Sequence, residues 1–201
     1  MTAARTGKLG PVKALLARGA DVNAKLPSGQ TALMWAAAEG HVAVVETLIA
    51  AGADIRAAIP LGLTPMLFAA RAGRTDVVRA LLKAGVDINA VTAPSIRPSA
   101  KQPPKGSSAL TIAIENGHLE LASILLDLGS DPNDMRCGYT PLHILSWVRK
   151  HDIGEDDGDP IPADPSSVKT EQLIRKLGAK GANVNARLTG GPAGGGRINR
   201  K

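Results

Sequence analysis

"GADVNA" occupies residues 19–24, "GVDINA" residues 85–90 and "GANVNA" residues 181–186. A chain that spells nearly the same six letters three times is building one element repeatedly, so its period comes before any search for sites. The glycine that opens the phrase recurs as Gly19, Gly52, Gly85, Gly129 and Gly181, at steps of 33, 33, 44 and 52 residues. The last two steps are one period lengthened by 11 and by 19 residues. A second series, Gly7, Gly40, Gly73 and Gly117, steps by 33, 33 and 44. A third is Thr31, Thr64 and Thr140, with Ser108 filling the same slot. Three markers thus share one period and one interruption.

Between these markers each unit reads as two short helices and a turn. In the second unit, "TALMWAAAEG" opens on Thr31, a good N-cap, and closes on Gly40, which takes the left-handed conformation readily. "HVAVVETLIAAG" follows, with Val44, Val45, Leu48 and Ile49 on one helical stripe. The stripe returns as Val77, Val78, Leu81 and Leu82, then as Leu121, Ala122, Leu125 and Leu126. In the fifth unit it is Leu173, Ile174 and Leu177, with Gly178 in place of the last apolar residue, which predicts a weaker helix. One such unit is too small to bury its own apolar face, so the units must stack. The pairs Ala3-Ala4, Ala36-Ala37 and Ala69-Ala70 let neighbouring inner helices approach closely. The Asp and Asn of the repeated phrase are turn residues whose side chains bond nearby backbone.

The stretches "GQTALMWAAAEGHVAVVETLIAAGADI", "GLTPMLFAARAGRTDVVRALLKAGVDINA", "SALTIAIENGHLELASILLDLGSDPN" and "GYTPLH" resemble the ankyrin repeat family. The resemblance covers residues 3–187 apart from two insertions. It implies an all-α solenoid of about five helix-turn-helix units with projecting β-hairpin loops. It also implies a concave recognition face and a protein-binding role without catalysis. The expected units are 1–27, 28–60, 61–105, 106–137 and 138–187, followed by a Gly-rich tail, 188–201, expected to be flexible.

Composition bounds the alternatives. A single cysteine, Cys137, excludes an internal disulfide framework. No apolar run approaches the length that spans a membrane, and the N-terminus lacks the apolar core of a signal peptide. The net charge of +6 invites a nucleic-acid reading, but Arg187, Arg197, Arg200 and Lys201 lie together near the C-terminus and three more basic residues lie in one insertion. A basic face with stacking aromatics is not legible, so no nucleic-acid partner is expected. The compartment is left open.

The departures from the period are two. Residues 91–105, "VTAPSIRPSAKQPPK", hold four prolines, three basic residues and no acid. They lengthen one finger, and read either as a tolerated surface loop or as a basic finger, carrying Arg97, that reaches over the concave face. Residues 151–168 carry Asp152, Glu155, Asp156, Asp157, Asp159 and Asp164 without Lys or Arg. Calcium-loop spacing is not met, so this is read as a solvated acidic loop. The opposite charges of the two insertions could attract one another. His41 and His118 share the slot after a turn glycine, and His143 stands in "TPLH", where the resemblance implies a hydrogen bond within the stack. Only His151 is off-pattern, so neither a metal nor any other cofactor is expected.

Recognition residues are sought where units differ. By the resemblance, the slots after the alanine pair face the concave side: Ala38 and Glu39, Arg71 and Ala72, Glu115 and Asn116, Trp147 and Val148. The slot before the capping Thr or Ser lies on the fingers: Gln30, Leu63, Ser107 and Tyr139. The partner-binding candidates are Gln30, Glu39, Leu63, Arg71, Arg97, Glu115, Asn116, Tyr139 and Trp147. Trp147 either contacts a partner or packs against the acidic insertion. Trp35, in the slot of Phe68, Ile112 and Ile144, is expected to be structural. The function expected is a protein-interaction module that is no enzyme, acts as a monomer and binds another protein. The alternative is an auxiliary or scaffolding domain of a larger enzyme or signalling chain. Because "AARTG" near the start matches "AARAG" at 69–73, and the C-terminus stops where another unit would begin, the chain is expected to be a piece of a longer array.

Overall fold

Each capping slot opens a helix. The Oγ1 of Thr31 accepts from the Met34 N–H at 3.3 Å, and that of Thr64 from Leu67 at 3.4 Å. Ser108 and Thr111 satisfy each other's backbone N–H groups in a reciprocal capping box. In "TPLH", the Thr140 Oγ1 accepts from the His143 N–H at 3.4 Å and lies 2.8 Å from His143 Nδ1. The computed structural model describes residues 1–60, 62–92, 105–148 and 170–187.

Ten helices stand among the described residues. The inner ones are α1 (Thr2–Arg5), α3 (Ala32–Glu39), α5 (Pro65–Arg71), α7 (Ala109–Glu115) and α9 (Pro141–Val148). The outer ones are α2 (Leu9–Ala17), α4 (Val42–Ala50), α6 (Thr75–Lys83), α8 (Leu119–Asp127) and α10 (Thr170–Ala179). Each inner helix packs on the next inner helix and on its own outer partner. Gly40, at φ +88°, closes α3 in the left-handed conformation and turns the chain into α4. The chain is therefore a helical stack, as the periodicity predicts.

One core runs through the stack. Ala36, Ala37, Ala69 and Ala70 have no exposed surface, so the small side chains do set the close approach of inner helices. The outer stripes are buried as expected through Val44, Val45 and Leu48, Val77, Val78 and Leu81, and Leu121, Ala122, Leu125 and Leu126. The fifth unit buries only Leu173 and Leu177 of its stripe.

The projecting loops depart from the expected hairpins. The described residues contain no β-strand, only an isolated antiparallel bridge between Val91 and Ser108. In the first two finger loops, one backbone pair closes a tight turn: Leu26 N–H to Gln30 O at 2.9 Å, and Ile59 N–H to Leu63 O at 3.1 Å.

Asparagine, not strand pairing, ties these loops together. Within each repeated phrase the acidic or amide side chain caps the N–H two residues on, as Asp21 does for Asn23 at 2.8 Å. The Asn then reaches the following unit. Asn23 donates to Gly52 O at 3.1 Å and accepts from Asp54 N–H at 2.8 Å. Asn89 accepts from Asp131 N–H at 2.9 Å. Asn133 donates to Gly181 O at 2.8 Å and accepts from Asn183 N–H at 2.7 Å. The second unit breaks the series, because Arg56 occupies the Asn slot. Arg56→Asn is therefore expected to add the missing clamp onto the third unit. Net gains per hydrogen bond suggest about 1 kcal/mol or somewhat more, read as a raised urea midpoint; an unchanged midpoint contradicts the clamp.

Candidate functional site

The inner helices end side by side, and their last turns form one face. Glu39 and Arg71 are exposed there, and Ala38 and Ala72 are half-buried between them. Along the edge of this face runs a ladder that the sequence reading assigned only as scaffold. His41 Nε2 lies 3.0 Å from the Arg5 carbonyl, Arg74 Nε donates to Ala38 O at 3.0 Å, and His118 Nε2 lies 3.0 Å from the Arg71 carbonyl. Each side chain after a turn glycine thus holds the last turn of the preceding inner helix.

Trp35 is the main addition to the face. It is half-buried, and the Arg5 guanidinium lies 4.7 Å from its ring centroid. Ile112 and Ile144, in the same slot, are buried, whereas the larger Trp35 and Phe68 protrude enough to remain partly exposed. Arg5 also lies 3.8 Å from Glu39, an exposed pair that contributes little to stability. Ring, guanidinium and carboxylate together make an amphipathic patch. The slot of Trp35 is apolar in the other units, and its larger volume leaves it partly exposed.

The fourth unit behaves differently. Glu115 is half-buried and accepts from the Tyr139 hydroxyl at 2.9 Å. Burial raises the Glu115 carboxyl above its ordinary value, and the Tyr139 hydrogen bond opposes this. Burial and the neighbouring carboxylate push the Tyr139 phenol far up. Cys137 is pushed up to about 11, chiefly by burial, and donates to the Tyr139 carbonyl at 3.3 Å. Such a thiol is protonated and unreactive near neutral pH. Asn116 turns back to donate to Ile112 O at 2.8 Å.

The nine candidates therefore separate. Glu39 and Arg71 reach solvent on the inner-helix face, and Gln30, half-buried, accepts from Ser28 at 3.1 Å on its finger. Glu115 and Asn116 are half-buried and engaged within the fold. Leu63 and Tyr139 are corrections: both are core residues rather than exposed finger residues. An apolar or aromatic side chain in this slot turns beneath its loop and gains by leaving water, and the Tyr139 hydroxyl finds Glu115. Arg97 and the side chain of Trp147 lie outside the described residues, as do most of the basic insertion, the acidic insertion, His151 and the tail 188–201.

A second polar cluster pins the fingers and was not foreseen. Arg136 forks onto Asp134 at 2.8 and 3.0 Å and donates to the Asn89 carbonyl of the preceding finger at 2.7 Å. Asp134 is buried. Burial pushes its carboxyl up, but hydrogen bonds from the Arg136 side chain and backbone, with the guanidinium charge, outweigh burial and hold it below the ordinary aspartate value. A carboxylate lowered in the folded state stabilises the fold above its unfolded pKa, and that contribution is lost as pH falls through the folded pKa. Asp134→Asn is expected to flatten this acid limb in a plot of melting temperature against pH. An unaltered limb would show that the pair does not carry it.

Among the described residues no helix is long and apolar enough to cross a membrane, and no three His, Cys, Asp or Glu side chains converge to hold a metal. The family model described as ankyrin repeats (3 copies) matches residues 1–92 and 95–154. No curated protein matches this chain. Repeats of this kind generally mediate protein–protein interaction and are typically non-catalytic.

Proposed function

The chain belongs to the ankyrin repeat family, and from that premise we propose that it is a protein-binding module whose partner seats on the inner-helix face. The observation that carries this reading is the contrast between scaffold and face. Capping residues, alanine pairs and loop asparagines recur, whereas the exposed ends of the inner helices carry Glu39 in one unit and Arg71 in the next. The Trp35–Arg5 stack beside them supplies an aromatic anchor of the type that dominates binding energy. Charged neighbours around such an anchor select partners more than they add affinity. Catalysis has no place in this reading: the chain contributes a surface, and any chemistry belongs to what it binds.

Site-specific photo-crosslinking in the native host tests the assignment. A crosslinking residue at Glu39 or Arg71 should capture a protein that the same residue at Glu46 or Arg79, exposed on outer helices, does not. Capture from the outer helices alone would overturn the assignment of the face.

A further inference from the structure

One junction on the inner-helix face lacks the polar pair that its neighbour carries. Arg5, Ala38 and Arg71 each stand two residues before a turn glycine, and Trp35 and Phe68 each stand five before one. The ladder along the face keeps the same register, because its side chains reach the carbonyls of Arg5, Ala38 and Arg71 in turn. At the first junction Arg5 lies over the Trp35 ring of the next unit and beside Glu39. At the second junction the slots of that arginine and that glutamate hold Ala38 and Ala72. A methyl group replaces the guanidinium and another replaces the carboxylate. The Phe68 ring thus has no cation over it among the described residues. Phe68, Ala38 and Ala72 are each half-buried, and together they form an apolar step between the Arg5–Trp35 stack and Arg71.

The rim of this step is basic. Arg71 is exposed, and it follows Phe68 by three residues on α5, which sets the two side by side on the helix surface. Its guanidinium forms no ion pair among the described residues. Glu115, in the same slot one unit on, takes its hydrogen bond from Tyr139. Arg74 is exposed and is fixed through Nε to the Ala38 carbonyl. It too has no carboxylate partner among the described residues. The carboxylate of this stretch, Glu39, already lies against Arg5.

We propose that this step binds a partner segment in which an apolar side chain stands next to a carboxylate. The inference rests on the inner-helix face being the binding surface, and it names what that surface selects. The apolar side chain lies on Phe68, in the place that Arg5 takes on Trp35, and covers the two alanine methyl groups. The carboxylate meets Arg71, with Arg74 at the edge. The apolar group gains by leaving water. The carboxylate meets cations that no acid of the described residues neutralises, which favours an acidic segment over a basic one. A basic segment would face three arginines and one carboxylate that is already paired.

A displayed library of random peptides, selected on the full chain, tests this. Clones that also bind the double variant Ala38→Arg/Ala72→Glu are removed. That variant rebuilds over Phe68 the arrangement that Arg5 and Glu39 make at Trp35, and it adds no net charge. The remaining peptides should share an aliphatic or aromatic residue beside Asp or Glu. A synthetic peptide of that sequence should bind Arg71→Gln about tenfold or more weakly than wild type. Its amide counterpart, with Asn for Asp or Gln for Glu, should lose as much against wild type. Arg71 is exposed, so its variant keeps the fold, and the peptide substitutions leave the protein untouched. Remaining peptides without acidic residues, or acidic ones indifferent to Arg71→Gln, overturn the assigned chemistry and leave the inner-helix face as the binding surface. A selection that yields no binder lost on the double variant overturns the step as the site. The crosslinking experiment decides the face separately.

Discussion

Leu81→Ala is expected to lower the unfolding free energy by about 2–5 kcal/mol, the range for a fully buried leucine that leaves a residual cavity. Leu81 has no exposed surface and lies on the stripe of α6, which packs on both α4 and α5. Neighbouring units cover it, and a close-packed stack has few ways to collapse into the space it leaves. The first unit supplies the control. Leu15 occupies the same slot but is half-exposed, so Leu15→Ala should cost well under half as much. Leu48→Ala, also buried, should behave like Leu81→Ala. Urea unfolding of the three variants checks this, read by midpoint because repeat arrays can lose cooperativity. A cost below about 1 kcal/mol at both Leu48 and Leu81 would place the outer helices in a different register.

Gly106→Ala is expected to cost about 3 kcal/mol or more, from left-handed strain added to a steric clash. Gly106 has φ +83°, and a Cβ there would lie 2.2 Å from the Arg136 carbonyl oxygen. The oxygen cannot easily retreat, because Arg136 is held by Asp134 and by the Asn89 carbonyl. Gly52→Ala separates the two causes. It has a similar φ of +86° and nothing within 4 Å of the added carbon, so strain of about 1–2 kcal/mol is its whole cost. Equal destabilisation of the two variants in thermal melts would mean that the finger carbonyl yields.

What the sequence made legible follows from which forces act locally. The period, the capping residues and the outer stripes depend on neighbours three or four positions away, and Thr31, Thr64, Leu48 and Leu81 stand where the pattern puts them. The asparagines were read as local turn residues, but Asn23 and Asn133 bond partners 29 to 50 residues away, beyond any local pattern. Leu63 and Tyr139 varied between units as recognition residues do. Variation, however, does not report which way a loop side chain points, and both turned into the core. Trp35 sits in a slot that is apolar in every unit, and its size alone leaves it partly exposed beside Arg5.

All of these results rest on one claim, that each unit is held by the units on either side. Native-state hydrogen exchange on the dilute chain tests it most directly, since amides report local opening along the stack. The account predicts the slowest exchange in α4, α5 and α6 and the fastest in α1 and α10, where one side is uncovered. Protection of α10 equal to that of α6 would contradict it.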